Sequence, residues 1–231
     1  LDSLGLEDFP SLNRQLLLCT ISLVLKSVSI LVLVPNSDLH DVVFTALQRM
    51  LDGEIVWASK CEKIINSGSG RYLIPHLEMA RGDVYDRIAS IASMKAEGLH
   101  MYAVQMRESI EDLSDRCRFF DWVIRLDYIT SEEMEIFVFD GKPQIESQVI
   151  HAFADAAMTR LPKTLFGDDA QALMESYIEF SRDRFEVGID NMVEIARSLA
   201  CLRSSLEIGV VDVALGIYYT EEKEAALRGE E

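Results

Sequence analysis

The chain has 231 residues, 49% of them hydrophobic, and 39 acidic against 22 basic side chains give it a formal charge of −17. A sizeable core is within reach, while the average surface repels phosphate backbones, so autonomous DNA binding is disfavoured. Cys19, Cys61, Cys117 and Cys201 lie far apart, with neither a CxxC pair nor a histidine at ligand spacing. They read as buried thiols of a reducing compartment rather than as a zinc site or a disulfide framework.

The sequence opens at Leu1 without a methionine, which reads as a piece of something longer. The apolar stretch Leu16 to Val34 is broken by Lys26 and by Ser22, Ser27 and Ser29, so it splits into a helix and a strand rather than a membrane span. No charged segment precedes it, which argues against a signal peptide. Helical periodicity covers Leu12 to Leu25, and the β-branched run Val28 to Val34 predicts a strand buried on both faces. Pro35-Asn36-Ser37-Asp38 is turn chemistry with an N-cap, and helical spacing resumes from Leu39 to Leu51.

Further strands are expected at Glu54 to Ala58, Tyr72 to Leu77, Met101 to Met106 and Trp122 to Leu126, with a helix over Asp83 to Ala96; Ile136 to Phe139 fits either state. Alternating strands and helices imply a mainly parallel sheet. After Gly141-Lys142-Pro143 the pattern turns helical, over Gln144 to Met158, Asp168 to Arg182, Asn191 to Ser204 and Val211 to Tyr219. The boundaries expected are therefore an α/β part over 1–142, a helical part over 143–220 and a charged, helix-prone, fraying tail over 221–231.

The helical part carries the most specific signal. Met192-Val193-Glu194-Ile195-Ala196-Arg197-Ser198-Leu199-Ala200-Cys201-Leu202-Arg203, followed nine residues on by Asp212-Val213-Ala214-Leu215, resembles the C-terminal lid of the minichromosome maintenance (MCM) helicases. Asp168 to Tyr177 is similar to that family's preceding lid helix, and Leu113 to Asp121 to its L-x-x-R-F-D segment, whose arginine acts on a neighbouring subunit. Here an extra aromatic separates Arg118 from Asp121, so either Arg116 or Arg118 occupies that edge. The resemblance implies an AAA+ fold: a mainly parallel sheet flanked by helices, then a helical lid.

It also places the phosphate-binding loop at Val28 to Leu51. Such a loop needs glycines, a lysine for the β/γ oxygens and a Ser/Thr for Mg²⁺. Pro35, Asn36, Ser37, Asp38, Asp41 and Val42 stand there instead, with Asp41 in the lysine slot and Val42 in the hydroxyl slot. Asp38 and Asp41 oppose a triphosphate by like charge, and Pro35 removes a backbone donor. The strand that should end in Asp-Glu, for metal and general base, reads Ile74-Pro75-His76-Leu77-Glu78; the following asparagine is matched by Gln105 or Met106, and the lid arginine by Val187.

Several patterns have plainer readings. His76 and Glu78 suggest a metal pair, but two strand residues without a third ligand read as surface polarity. Ser67-Gly68-Ser69-Gly70 reads as a flexible hairpin, Glu132-Glu133 with Glu135 as an acidic first helical turn capped by Ser131, and Trp122, Tyr218 and Tyr219 as packing aromatics. The expectation is thus a degenerate, non-catalytic MCM-like module without cofactor, metal or small-molecule substrate, which the resemblance to meiotic MCM-like members places in the nucleus within a hetero-oligomer for meiotic recombination. Its partners would be other MCM-like subunits, with DNA met only through the complex and no membrane. The alternative is a nucleotide-dependent enzyme, an AAA+ ATPase of the MCM or magnesium-chelatase branch with a divergent site.

Overall fold

The structure, a computed structural model, describes residues 19, 21–80, 82–94, 96–107, 118–126, 152, 154–157, 165–181 and 189–228, with side chains up to 225. The boundary expected near 142, the segment Ile136 to Phe139 and most of the helices at Leu12 to Leu25 and Gln144 to Met158 lie outside these residues.

Five strands form one sheet in the order β2-β3-β4-β1-β5. They are β1 Val28–Val34, β2 Glu54–Ile55, β3 Gly70–Ile74, β4 Leu99–Met106 and β5 Trp122–Arg125, every pairing parallel. All seven residues of β1 are buried because it lies between β4 and β5 with helices on both faces. Its side chains alternate: Ile30, Val32 and Val34 face one core, Leu31 and Leu33 the other.

Helix α1 (Ser37–Leu51) covers the first face through Leu39, Val42, Val43, Ala46, Leu47 and Met50, one stripe at helical spacing. Helices α2 (Glu62–Ser67) and α3 (Asp83–Ser93) cover the second through Ile64, Tyr85, Ile88, Ile91 and Ala92. This split follows from handedness. The β1-to-β2 crossover moves across the sheet in the opposite sense to the β2-to-β3 and β3-to-β4 crossovers, so right-handed connections fall on opposite faces. The segment Ser67 to Gly70 is not a hairpin. Gly68, at φ 67°, ends α2, and the chain enters β3 parallel to β2.

Three further helices follow: α4 Asp168–Ser181, α5 Ile189–Leu202 and α6 Val210–Arg228. Ile195, Leu199 and Tyr219 join the core under α1, fastening the helical part to the sheet. The charged stretch from Glu221 is helical to Arg228, as its composition suggests, but it is not a solvated end at Lys223 and Glu224. Helix α6 runs on to Arg228, and Thr220, Lys223 and Glu224 are buried against the sheet's β5 end. The stretch looked solvated because its charges are read in isolation, whereas Lys223 finds carbonyl acceptors 103 residues away. Cys19, Cys61 and Cys201 are buried free thiols, and Cys117 lies outside the described residues. Among the described residues no helix is long and apolar enough to cross a membrane.

Candidate functional site

In a parallel α/β sheet the ligand crevice lies at the carboxyl ends of the strands. There β1 leaves Val34, makes a turn of Pro35 and Asn36 alone, and enters α1 at Ser37. The Asn36 side chain accepts from Leu39 N at 2.9 Å and so satisfies one of the helix's own terminal donors. Pro35 is buried, while Ser37 and Asp38 lie exposed in the first turn. Asp41 and Val42 fall in the second turn, and they point oppositely: Asp41 into solvent, Val42 into the core at 1% exposure. A Walker loop spans eight residues from its first glycine to its Ser/Thr, most of them ahead of the helix, because the backbone must wrap the phosphates. A two-residue turn has no such arc.

The end of β3 differs from the sequence reading. The strand stops at Ile74, His76 takes a left-handed φ of 52°, and Leu77–Met79 form a 3₁₀ turn. His76 and Glu78 are therefore neither strand residues nor surface polarity. Glu78 is 6% exposed in its side chain; one carboxylate oxygen lies 3.0 Å from His76 Nδ1 and the other accepts from Met106 N at 3.3 Å. Glu78 thus ties the end of β3 to the end of β4. Gln105 is fully buried, and its side-chain amide has no hydrogen-bond partner among the described residues.

His40, which the sequence reading passed over, completes the group. It projects from the end of the first turn of α1 at 1% exposure and stacks on His76, with ring centroids 3.9 Å apart and planes within 11°. Trp57 also stacks with His76 at 6.5 Å, and Phe44 with His40 at 6.1 Å, each pair with nearly parallel planes. Burial above all, then the neighbouring His76, lowers the His40 pKa, against the pull of the Asp41 carboxylate. The only sequence signal for this pairing was a histidine on the apolar stripe of α1, since the two residues meet by topology rather than spacing.

Of the two arginines proposed for the neighbouring-subunit edge, Arg116 lies outside the described residues. Arg118 is exposed, its guanidinium 5.2 Å from the centre of the Phe119 ring. Val187, and the acidic turn at Ser131 to Glu135, also lie outside. Asp121 takes a structural part: its carboxylate accepts from both Ser29 N at 2.8 Å and Ser29 Oγ at 2.9 Å, joining the starts of β5 and β1. In the lid, Arg203 forms a two-pronged pair with the buried Asp212, which also accepts from Gly209 N at 2.8 Å. This pair closes the α5–α6 connector and gives a structural reason for both charged ends of the lid motif.

No protein family and no curated protein matches the sequence. Among solved structures, a full-length MCM homolog from Methanopyrus kandleri aligns over 97% of this chain with a TM-score of 0.65 and 12% identity. The fold is MCM-like. This chain spans 58% of that homolog's length, and at such identity the likeness carries the architecture alone. The MCM-like fold accounts for the parallel sheet and for the helices α4 to α6 that follow it.

Proposed function

We propose that this chain is a non-catalytic AAA+-type interaction module that works through contact with other subunits of a hetero-oligomer. The observation that carries this reading is the two-residue Pro35-Asn36 turn, with the α1 terminus capped from within by Asn36. The exposed carboxylates of Asp38 and Asp41 beside that turn add repulsion toward a triphosphate. Exposed Leu165, Leu206 and Val211 flank the Phe166–Ile208 bridge of the lid and offer apolar surface to a protein partner. The finer assignment, a nuclear subunit that meets other MCM-like proteins in meiotic recombination and reaches DNA through them, rests on the resemblance of the lid motif and the altered loop together.

A second reading, a nucleotide-dependent enzyme with a divergent site, draws on Glu78, a buried carboxylate between the ends of β3 and β4 where an ATPase keeps its base. Grafting a consensus phosphate loop in place of Pro35 to Val42 separates the two. The interaction reading expects no hydrolysis from the graft, because the Asp-Glu, Asn and lid Arg positions differ as well.

The partner edge is tested by the double variant Arg116→Glu, Arg118→Glu. Arg118 is exposed, and an exposed charge contributes only about 0–1 kcal/mol to stability; the variant is expected to lose co-purification with MCM-like partners while keeping the parent's circular dichroism spectrum. Undiminished co-purification removes the arginine edge from the account.

A further inference from the structure

We propose that His40, His76 and Asp41 bind one divalent transition-metal ion of the zinc, nickel or cobalt class. A ring nitrogen from each histidine and a carboxylate oxygen of Asp41 lie within 4.8 Å of one another. The His40 Nδ1 to Asp41 Oδ1 distance, 3.4 Å, is close to the ligand-to-ligand edge of roughly 3.3 Å around a tetrahedral ion with bonds of about 2.0–2.1 Å. Independently, His40 is 1% exposed and its buried Nε2 has no hydrogen-bond partner among the described residues. A buried imidazole left one partner short is costly; a metal bond through Nε2 meets that need, whereas one through Nδ1, the nitrogen beside Asp41, leaves the Nε2 proton where it is.

The neighbouring geometry suits a site that closes on its ion. The two rings lie in nearly parallel planes and each ring's lone pairs lie in its own plane, so convergence on one ion requires one ring to swing. His76 can do so: its side chain is 26% exposed and it sits in the turn after β3 rather than within a strand. Glu78, 3.0 Å from His76 Nδ1, supplies the outer carboxylate that orients a metal-bound histidine. Asp41 is 84% exposed, so the ion reaches the site from solvent and keeps positions open to water or to a partner's side chain. Two imidazoles and one carboxylate select borderline ions over Mg²⁺ and Ca²⁺, which prefer all-oxygen shells. The inference stands apart from the reading of nucleotide and partners above, since it concerns the bare ion and these side chains alone.

The test titrates Co²⁺ and Zn²⁺ into the 231-residue chain, following the visible ligand-field bands of cobalt and the melting temperature, with Mg²⁺ as comparison. One cobalt per chain with bands of a four- or five-coordinate site is expected, displaced by Zn²⁺, with Mg²⁺ giving no comparable stabilisation. His76→Gln, at a side chain 26% exposed, and Asp41→Asn, at one 84% exposed, are expected to weaken binding at least about 10-fold. No saturable Co²⁺ or Zn²⁺ binding overturns the proposal. So does binding that survives both variants unchanged, or that carries thiolate charge-transfer bands, which places the ion on the cysteines.

Discussion

The Lys223 ammonium, in the last helix, donates to the backbone carbonyl of Phe120 at 2.6 Å and to that of Asp121 at 3.1 Å, at the entry to the edge strand β5. Asn191 of α5 donates to the same Asp121 carbonyl at 3.1 Å. Two lid helices thus grip one turn of the sheet domain through its main chain. Lys223→Met keeps the apolar stem and removes the donor, leaving the Phe120 carbonyl without this buried bond. A loss of about 1–3 kcal/mol is expected, read as a lower urea midpoint at unchanged slope. A variant as stable as the parent would return this segment to the solvated tail that the sequence suggested.

Close approach of α5 and α6 depends on Gly216. A Cβ built there meets the Met192 carbonyl oxygen at 2.7 Å and Met192 Cγ at 3.2 Å. Alanine is the better helix former by about 1 kcal/mol, yet backbone cannot yield as a flexible side chain can, and overpacking costs about 1–3 kcal/mol. Gly216→Ala is therefore expected to lower the melting temperature. A rise would mean the helices separate at little cost.

The lid motif's Arg203 and Asp212 form a pair with unequal exposure, 52% for the arginine and 1% for the carboxylate. Removing the arginine leaves Asp212 with the Gly209 N–H as its remaining partner from this connector. Because Arg203 is half in water, its loss is discounted from the roughly 3–5 kcal/mol typical of a buried pair to about 1–3 kcal/mol. In a double-mutant cycle of Arg203→Met and Asp212→Asn, a coupling of about 1 kcal/mol or more is expected; additivity would show that the two act separately.

Acid should weaken the fold through His100. Residue His100 pairs with Arg71 in the β3–β4 register, is 7% exposed, and has a buried Nδ1 with no hydrogen-bond partner among the described residues. Burial first, then the Arg71 charge, lowers its pKa from 6.5 to about 4. Between these values the unfolded chain binds a proton that the folded chain refuses, so stability is undiminished above about pH 6.5 and falls as pH drops toward 4. The loss at the acid end approaches about 3 kcal/mol. Melting temperature against pH should flatten across this window in His100→Val relative to the parent; an unaltered profile assigns the acid sensitivity to other groups.

The strands and helices were legible where burial on both faces wrote a continuous apolar run, as in Val28 to Val34, or a stripe at helical spacing, as in Leu39 to Met50. The lid helices were legible through their motif, and Arg203 with Asp212 shows why both charged ends belong to it. The strand ends were not. Glu54 to Ala58 shortens to Glu54–Ile55, and Tyr72 to Leu77 moves to Gly70–Ile74, because Pro75 and the left-handed His76 end the ladder early. The site's composition was hidden for a different reason. His40 and His76 are 36 positions apart and meet only when α1 folds back over the end of β3, a contact of topology that no local spacing records. The length of the turn after β1 was equally obscure, since the sequence gives its residues but not where the helix begins.

The central claim, a module without nucleotide chemistry, is tested most directly by calorimetric titration of Mg²⁺-ATP into the unmodified chain, with phosphate release followed in the same samples. A turn of Pro35 and Asn36, capped from within, predicts no saturable binding at nucleotide concentrations up to about 1 mM and no phosphate release above the buffer control. Saturable one-to-one binding, or measurable turnover, would contradict the account and favour the enzyme with Glu78 as its base.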